Sequence, residues 1–187
     1  MKRAVKTLKE GGVVAIPTDT VYGLAAMPFD KKAVARLYSI KGRADKKPIA
    51  ILVSSKAMAG KFARGIPSKA RKLMDRYWPG PLTLVFRKRS SVPGFLTSGL
   101  STIGIRMPKN RTALALIKSA GGALAVTSAN RSGEKPALNA AQARRIKNVD
   151  AVVAGKCVLG IPSSVVLVTG SSLKMLRKGP GLELEDQ

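Results

Sequence analysis

Short apolar runs alternate with amphipathic segments along most of this chain, and the runs are too short to be helices. Val13–Ile16, Ile49–Val53, Leu82–Phe86, Thr102–Met107 and Leu124–Thr127 have the length and the β-branched content of buried strands. Between them Lys2–Glu10, Ala33–Ile40, Ser55 to about Ala63, Pro67–Tyr77 and Arg111–Ala120 read as helices. Gly11-Gly12 and Gly121-Gly122 supply stops at two of their ends. Asn139–Ile146 adds a helix, and Ala151–Ala154, Ser163–Val168 and Leu173–Leu176 follow as strands. Alternation with short connections predicts one α/β domain over residues 1–187. Strands that succeed one another directly near the end make a twisted, mixed parallel and antiparallel sheet with flanking helices the expected architecture. The acidic end, residues 182–187, is expected to be loosely ordered.

Charge is the next constraint. Lys and Arg number 34 against 10 Asp and Glu, a formal net charge of +24. A domain this basic repels itself and is drawn to polyanions, so nucleic acid or a phosphate-rich ligand is the partner class to consider. Aromatic residues are only 4% of the chain, which argues against a base-stacking RNA sheet and for contacts led by phosphate. No 18-residue uncharged apolar run exists, and Met1–Glu10 lacks the apolar core of a signal peptide. The expected setting is therefore cytoplasmic, with no membrane partner.

Absences narrow the chemistry. There is no histidine, which removes Ser-His-Asp and Cys-His catalysis and every His-containing zinc site. Cys157 is the one cysteine and reads as a small buried hydrophobe. Gly155-Lys156 lacks the rest of a phosphate-binding P-loop, and no dinucleotide glycine fingerprint appears. Whatever site exists is built from Lys, Arg, Ser, Thr, Asn, a few acids and backbone. Three polar clusters fall at predicted strand ends, Thr18–Tyr22, Arg106–Lys109 and Thr127–Gly133, with the basic stretch Lys41–Lys47 as a fourth. Ligands in open α/β sheets sit outside the strands' carboxyl ends, so these clusters are expected to surround an open basic cavity there. Singly each is weak: Ser-Ala-Asn after a strand is an ordinary turn, and Lys-Gly-Arg at a helix end an ordinary C-cap.

Their combination is specific. Pro17-Thr18-Asp19-Thr20-Val21-Tyr22-Gly23-Leu24, Lys41-Gly42-Arg43, Trp78-Pro79-Gly80-Pro81-Leu82-Thr83, Gly104-Ile105-Arg106-Met107-Pro108, Thr127-Ser128-Ala129-Asn130-Arg131-Ser132-Gly133, Ser163-Ser164-Val165-Val166 and Arg177-Lys178-Gly179 occur in this order. That series resembles the YrdC/TsaC family, from near the first residue to about Gly181. The resemblance implies a single YrdC-like domain that joins L-threonine, bicarbonate and ATP into threonylcarbamoyl-AMP with release of pyrophosphate, for modification of tRNA by downstream transfer proteins. It implies Lys41, Arg43, Ser128 and Asn130 as catalytic residues. Thr18, Arg106 and Ser163 would bind threonine, and Arg43, Lys47, Thr102, Ser128 and Arg177 the nucleotide. Mg2+ would arrive with ATP, held by its phosphates rather than by protein. Direct tRNA binding is a further expectation. Two other readings share the fold: a non-catalytic binder of double-stranded RNA or tRNA, and an accessory domain of the kind found in hydrogenase-maturation enzymes.

The chain departs from the family pattern in places. Leu52 stands where some members have histidine, Asp45–Lys47 is more basic than usual, and Ser164 replaces a common threonine. The extra C-terminal domain of longer relatives is not expected in 187 residues.

Overall fold

A computed structural model describes residues 1–42, 47–170 and 172–182. Nine strands form one sheet: β1 Val14–Ile16, β2 Gly23–Ala26, β3 Ala50–Val53, β4 Leu82–Arg87, β5 Thr102–Arg106, β6 Ala123–Ser128, β7 Ala151–Val152, β8 Ser164–Thr169 and β9 Ser172–Arg177. Their order across the sheet is β7-β1-β2-β6-β3-β5-β4-β8-β9. The pairs β7–β1, β3–β5 and β4–β8 are parallel and the rest antiparallel, so the expected mixed sheet is what forms.

The period-2 alternation of each strand divides its residues between two faces. On one face Ala15, Leu24, Ile51, Val53, Leu82, Leu84, Phe86, Ile103, Ile105 and Val166 join the larger core. The helices α2 Lys31–Lys41 and α4 Ser68–Tyr77 contribute to the same core through Val34, Leu37, Ala70 and Met74. On the other face Val14, Ile16, Ala25, Leu52, Leu124 and Val126 pack against two further helices, α1 Lys2–Lys9 and α6 Arg111–Ser119, through Ala4, Leu8, Ala113, Leu116 and Ile117. Those two helices contact β1, β3, β6 and β7 only among the stronger element contacts. The second face therefore continues uncovered over β5, β4, β8 and β9. A half-covered sheet is the structural fact on which the site depends.

Local chemistry fixes the helix that leads into the first basic motif. The Asp30 carboxylate accepts from the Ala33 amide at 3.0 Å and caps the start of α2. At its other end Gly42 adopts φ 59°, the left-handed conformation that ends a helix without a Cβ penalty. β2 was not expected from sequence, because Gly23-Leu24-Ala25-Ala26 has no β-branched residue. It forms because β1 and β6 flank it and satisfy both its edges. The segment Ser55–Ala63 is helical only over α3 Lys56–Ala59, and two short helices, α5 Gly94–Thr97 and α7 Ala140–Arg144, complete the set.

The chain's far segments are tied by Asp150. Its carboxylate accepts from the Val13 amide at 2.6 Å and from Arg36 at 2.8 Å, and Arg36 also donates to the Gly11 and Asn148 carbonyls. The hydrogen bond from Arg36 holds the Asp150 carboxyl below its ordinary value, opposed by partial burial and helped by the Val13 amide. A depressed folded-state value means this stabilisation is present above the unfolded carboxylate range, near pH 4, and is lost as pH falls through the lower folded value. Both side chains are more than a third exposed, 38% and 37%, so solvent screens the pair. Asp150→Asn is expected to cost about 1 kcal/mol at neutral pH, a few degrees in Tm. Thermal melts of both proteins from pH 7 downward check this: the gap between them should close below about pH 4. A gap independent of pH would mean the charge contributes nothing.

Candidate functional site

The uncovered part of the second face is the floor of a cavity of about 470 Å³. Ala50 and Leu52 of β3, Thr83 and Val85 of β4, Thr102, Gly104 and Arg106 of β5, and Val165 of β8 line it at alternate positions along their strands. The cavity thus lies across the sheet rather than beyond the strands' carboxyl ends, which corrects the expectation from sequence. In a sheet of mixed strand direction there is no common carboxyl edge to bind at. Among the described residues three cations line this cavity, Lys47, Arg106 and Arg177, and no acid does.

Arg106 is the most constrained of them. At 6% exposure its guanidinium is held by the Gly80 carbonyl at 3.0 Å, by Thr20 Oγ1 at 2.9 Å and by Asp19 Oδ1. Desolvation lowers its affinity for the proton and Asp19 raises it again. The guanidinium carries more N–H donors than these three acceptors use. Its contacts also set a hydrogen-bond direction along the neighbouring loop. Arg106 only donates, so Thr20 must pass its own proton to Thr18 Oγ1 at 2.9 Å, and Thr18 donates to the Val21 carbonyl at 2.7 Å. The Thr18 hydroxyl is spent inside its turn. The Asp19 and Thr20 carbonyls accept from the Leu159 and Gly160 amides at 2.9 and 3.0 Å, and Tyr22 Oη lies 3.0 and 2.9 Å from the Val153 and Gly155 carbonyls. The segment 153–160 therefore straps the Thr18–Tyr22 loop from outside.

The signature residues Lys41, Ser128 and Asn130 are brought together as the sequence implied, but behind the wall. Lys41 is 2% exposed, and its ammonium donates to the Ser128 carbonyl at 2.9 Å, Ser128 Oγ at 3.2 Å and Asn130 Oδ1 at 2.6 Å. Ser128 Oγ donates to Asn130 Oδ1 at 2.6 Å, and the Asn130 amide nitrogen donates to the Arg131 and Glu134 carbonyls, both at 2.7 Å. Of the three only Ser128 lines the cavity. Lys41 thus works as the anchor of the Ser128–Glu134 turn. Arg43 lies outside the described residues.

At the opposite wall Arg177 donates through Nε to the Ser163 carbonyl at 2.9 Å and through Nη2 to Ser163 Oγ at 3.3 Å. Partial burial alone depresses its proton affinity, and among the described residues no carboxylate pairs with it. Ser163 Oγ is 2.9 Å from Thr83 Oγ1. Gly179 holds this corner tight: a Cβ there would stand 2.4 Å from the Ser164 amide and 2.6 Å from the Pro162 carbonyl. Thr18, Lys47, Thr102, Arg106, Ser128, Ser163 and Arg177 all line the one cavity. The sequence clusters Thr18–Tyr22 and Thr127–Gly133 contain Asp19 and Thr127 without giving either a role, and sequence reasoning missed Thr83 and Leu176 as lining residues; a lone polar residue in the apolar run Leu82–Phe86 was the available signal for Thr83. A second hollow of about 410 Å³ lies between Lys56, Arg71 and Arg89. There Lys56 pairs with Asp75, and Arg71 and Arg89 donate to the Ile66 and Gly60 carbonyls.

A family model described as telomere recombination and named for Sua5, YciO and YrdC matches residues 6–179. A threonylcarbamoyl-AMP synthase of Pyrococcus abyssi is 38% identical over 182 residues, 96% of this chain and 53% of its own length. One from Halorhodospira halophila is 34% identical over 158 residues, 83% of either chain. The crystal structure of P. abyssi Sua5 complexed with L-threonine matches with a TM-score of 0.90 at 36% identity, over 94% of this chain and 53% of that one. This chain spans about half the length of the Pyrococcus relative.

Removing one partner of a buried ion pair strands the other charge at a cost of about 3–5 kcal/mol. Asp19→Ala is expected to lose that much in a urea titration, and Asp19→Asn, which keeps an acceptor, distinctly less. A loss under about 1 kcal/mol for the alanine variant would mean that water reaches the guanidinium.

Proposed function

The chain belongs to the Sua5/YciO/YrdC family, and from that premise we propose that it is a threonylcarbamoyl-AMP synthase. Its substrates in this reading are L-threonine, bicarbonate or CO2, and ATP, and its products threonylcarbamoyl-AMP and pyrophosphate. The observation that carries the reading is the cavity in which Arg106 and Arg177 stand desolvated among hydroxyls, with no acid among its described lining residues. Such a site favours a ligand that brings its own negative charge at two ends.

The chemistry fits an inventory without histidine. Threonine's free amine and bicarbonate give a carbamate with release of water (from CO2, with release of a proton), and the carbamate's anionic oxygen attacks the α-phosphorus of ATP. The bond from that phosphorus to the bridging oxygen breaks, and its electron pair leaves with pyrophosphate. An anionic nucleophile needs no base for this step; it needs alignment and cations where charge builds up. Arg106, with N–H donors to spare, suits the threonine carboxylate. Arg177 and Lys47, at the other side, suit phosphate. Arg43, by its place in the family pattern, is proposed as a further phosphate partner. Lys41 and Asn130 act through Ser128, by holding the turn that presents it. Among the described residues no group of three or more His, Cys, Asp or Glu side chains could hold a metal ion. Mg2+ is therefore proposed to enter on the ATP phosphates, and no step above runs through it.

We place the protein in the cytoplasm, supplying threonylcarbamoyl-AMP to proteins that transfer the acyl group to tRNA. No helix among the described residues is long and apolar enough to cross a membrane. The +24 charge favours direct contact with tRNA as well. The decisive assay incubates the protein with ATP, Mg2+, bicarbonate and labelled L-threonine. Threonine-dependent pyrophosphate and a labelled acyl-adenylate are expected; their joint absence would sink the synthase reading. For tRNA, the binding constant should fall by about 10³ or more between 50 and 200 mM salt if several phosphates are neutralised. A flat response would remove the phosphate-led contact.

A further inference from the structure

The chain's charge surplus is unevenly placed. Residues 56–89 hold ten Lys and Arg side chains and a single acid, Asp75. The fold gathers them on one face. Ala63 bridges Lys88 in antiparallel fashion, with the Arg64 amide donating to the Arg87 carbonyl at 2.7 Å and the Arg89 amide to the Phe62 carbonyl at 2.8 Å. The segment before Gly65 thus runs along the end of β4, and Arg64 stands opposite Arg87. Two hollows open beside it, one of about 410 Å³ between Lys56, Arg71 and Arg89 and one of about 310 Å³ beside Arg64 and Arg87. They meet at Gly65 and Ile66, which line both, and so form one basic trough. Along the outer side of α4 the exposed Lys69, Lys72 and Arg76 follow at helical spacing.

Little of this charge is cancelled within the protein. Lys56 takes Asp75 at 2.7 Å, so the one acid is already used. Arg71 and Arg89 each donate to a neutral carbonyl, at 3.1 and 3.2 Å, which aims the guanidinium and leaves its charge and further donors in place. Arg64 and Arg87 are exposed and make no side-chain hydrogen bond or ion pair among the described residues. Like charges directly across an antiparallel pair destabilise it, a cost that an arriving anion removes.

The surroundings select the anion. No large apolar side chain between residues 56 and 89 is exposed, so the trough lacks what a bilayer or a protein interface would bury. Of the segment's aromatic residues Phe62, Trp78 and Phe86 are buried, and Tyr77 is half-buried under Arg76. They offer no platform for stacked bases, and what remains is a row of cations suited to successive phosphates. The trough shares no described lining residue with the cavity of Arg106 and Arg177. Along β4, Arg87 lies four residues from the cavity residue Thr83, about 13 Å away at the rise of a strand.

We propose that this trough, framed by Arg64, Arg71, Arg87 and Arg89, holds the phosphodiester backbone of an RNA, apart from the cavity that binds the small substrates. The inference rests on the direct tRNA contact proposed above and gives that contact a place. RNA on the trough leaves the cavity open, so the two kinds of ligand do not compete.

The test compares the variant Arg64→Gln/Arg87→Gln/Arg89→Gln with the parent, titrating a labelled tRNA transcript between 50 and 200 mM salt. Each lost phosphate contact should flatten the plot of log K against log salt by about 1, so the slope should fall by about 2 to 3. Threonine-dependent pyrophosphate release should stay within about twofold of the parent, since no substituted side chain lines the cavity. Lys2→Gln/Lys6→Gln/Lys9→Gln on α1 removes the same charge from another helix and should leave the slope unchanged. An equal fall in both variants would assign RNA binding to net charge alone and overturn the inference. So would an unchanged slope in the arginine variant, a tenfold loss of its pyrophosphate release, or displacement of tRNA from the parent by saturating ATP and threonine. Binding of the parent to phosphatidylserine vesicles, lost in the arginine variant while its tRNA slope stays, would give the trough to a membrane instead. A parent that binds no tRNA at 50 mM salt would overturn both this inference and the tRNA contact, leaving the synthase reading standing. Melting curves confirm folding, and Arg64→Gln/Arg87→Gln, which breaks no described side-chain bond, serves where the triple variant does not fold, with an expected fall of about 1 to 2.

Discussion

A buried guanidinium needs acceptors, and Arg106 draws two other stretches of chain to its strand to supply them. The Trp78–Pro81 turn offers Gly80, and the Thr18–Tyr22 loop offers Thr20 and Asp19. The strap of residues 153–160 then closes over that loop through main-chain hydrogen bonds. The arrangement is a scaffold and a binding feature at once. The same cation that organises three segments keeps donors facing a cavity from which other carboxylates are absent. One oxygen of Asp19 has no partner among the described residues, a cost that would be hard to understand if holding the loop were the pair's sole task.

Hydrogen-bond direction carries the argument from shape to chemistry. Cations that only donate fix the proton positions of the hydroxyls beside them, and those hydroxyls fix the next. Arg106 closes one wall in this way, and Lys41 closes the Ser128–Asn130 turn. Arg177 donates to Ser163, whose hydroxyl pairs with that of Thr83. A site made like this recognises by charge and proton direction, so it has no need of a group that titrates near neutral pH.

Much of the fold was legible because short β-branched runs and glycine stops have few alternative uses. Strands β3, β4, β5 and β6 were placed to within a residue or two at either end. What failed to show was anything decided by neighbours. Gly23–Ala26 is a strand because two strands bracket it. The cavity lies across the sheet because α1 and α6 cover only half of one face, and helix length and docking are not written in the periodicity of any single segment. Individual site residues were legible as motifs, while their jobs were not. Lys41 and Asn130 read as parts that touch a ligand, and the structure shows both hydrogen-bonded to Ser128. Thr18 reads as a hydroxyl offered to a substrate, yet its proton is committed to Val21. A sequence reports which groups are present and is silent on which lone pairs are already taken.

That distinction bears on the charge surplus. A net +24 reads at first as a binding signal, but several of the cations closest to the cavity are internal fittings. Lys41 anchors a turn behind the cavity wall, and farther away Arg36 ties Asp150 and two carbonyls on the other side of the sheet. Arg106 divides its donors between scaffold and cavity. The cation that best marks a ligand site is Arg177. It is partly desolvated, it has no described carboxylate, and its protein contacts are the carbonyl and hydroxyl of a single serine. Burial without compensation is what separates a functional charge from a structural one. On that criterion the two ends of the cavity are unequal: Arg106 brings its counter-ion with it, and Arg177 waits for one, which is the polarity expected where an anionic ligand arrives, reacts and leaves.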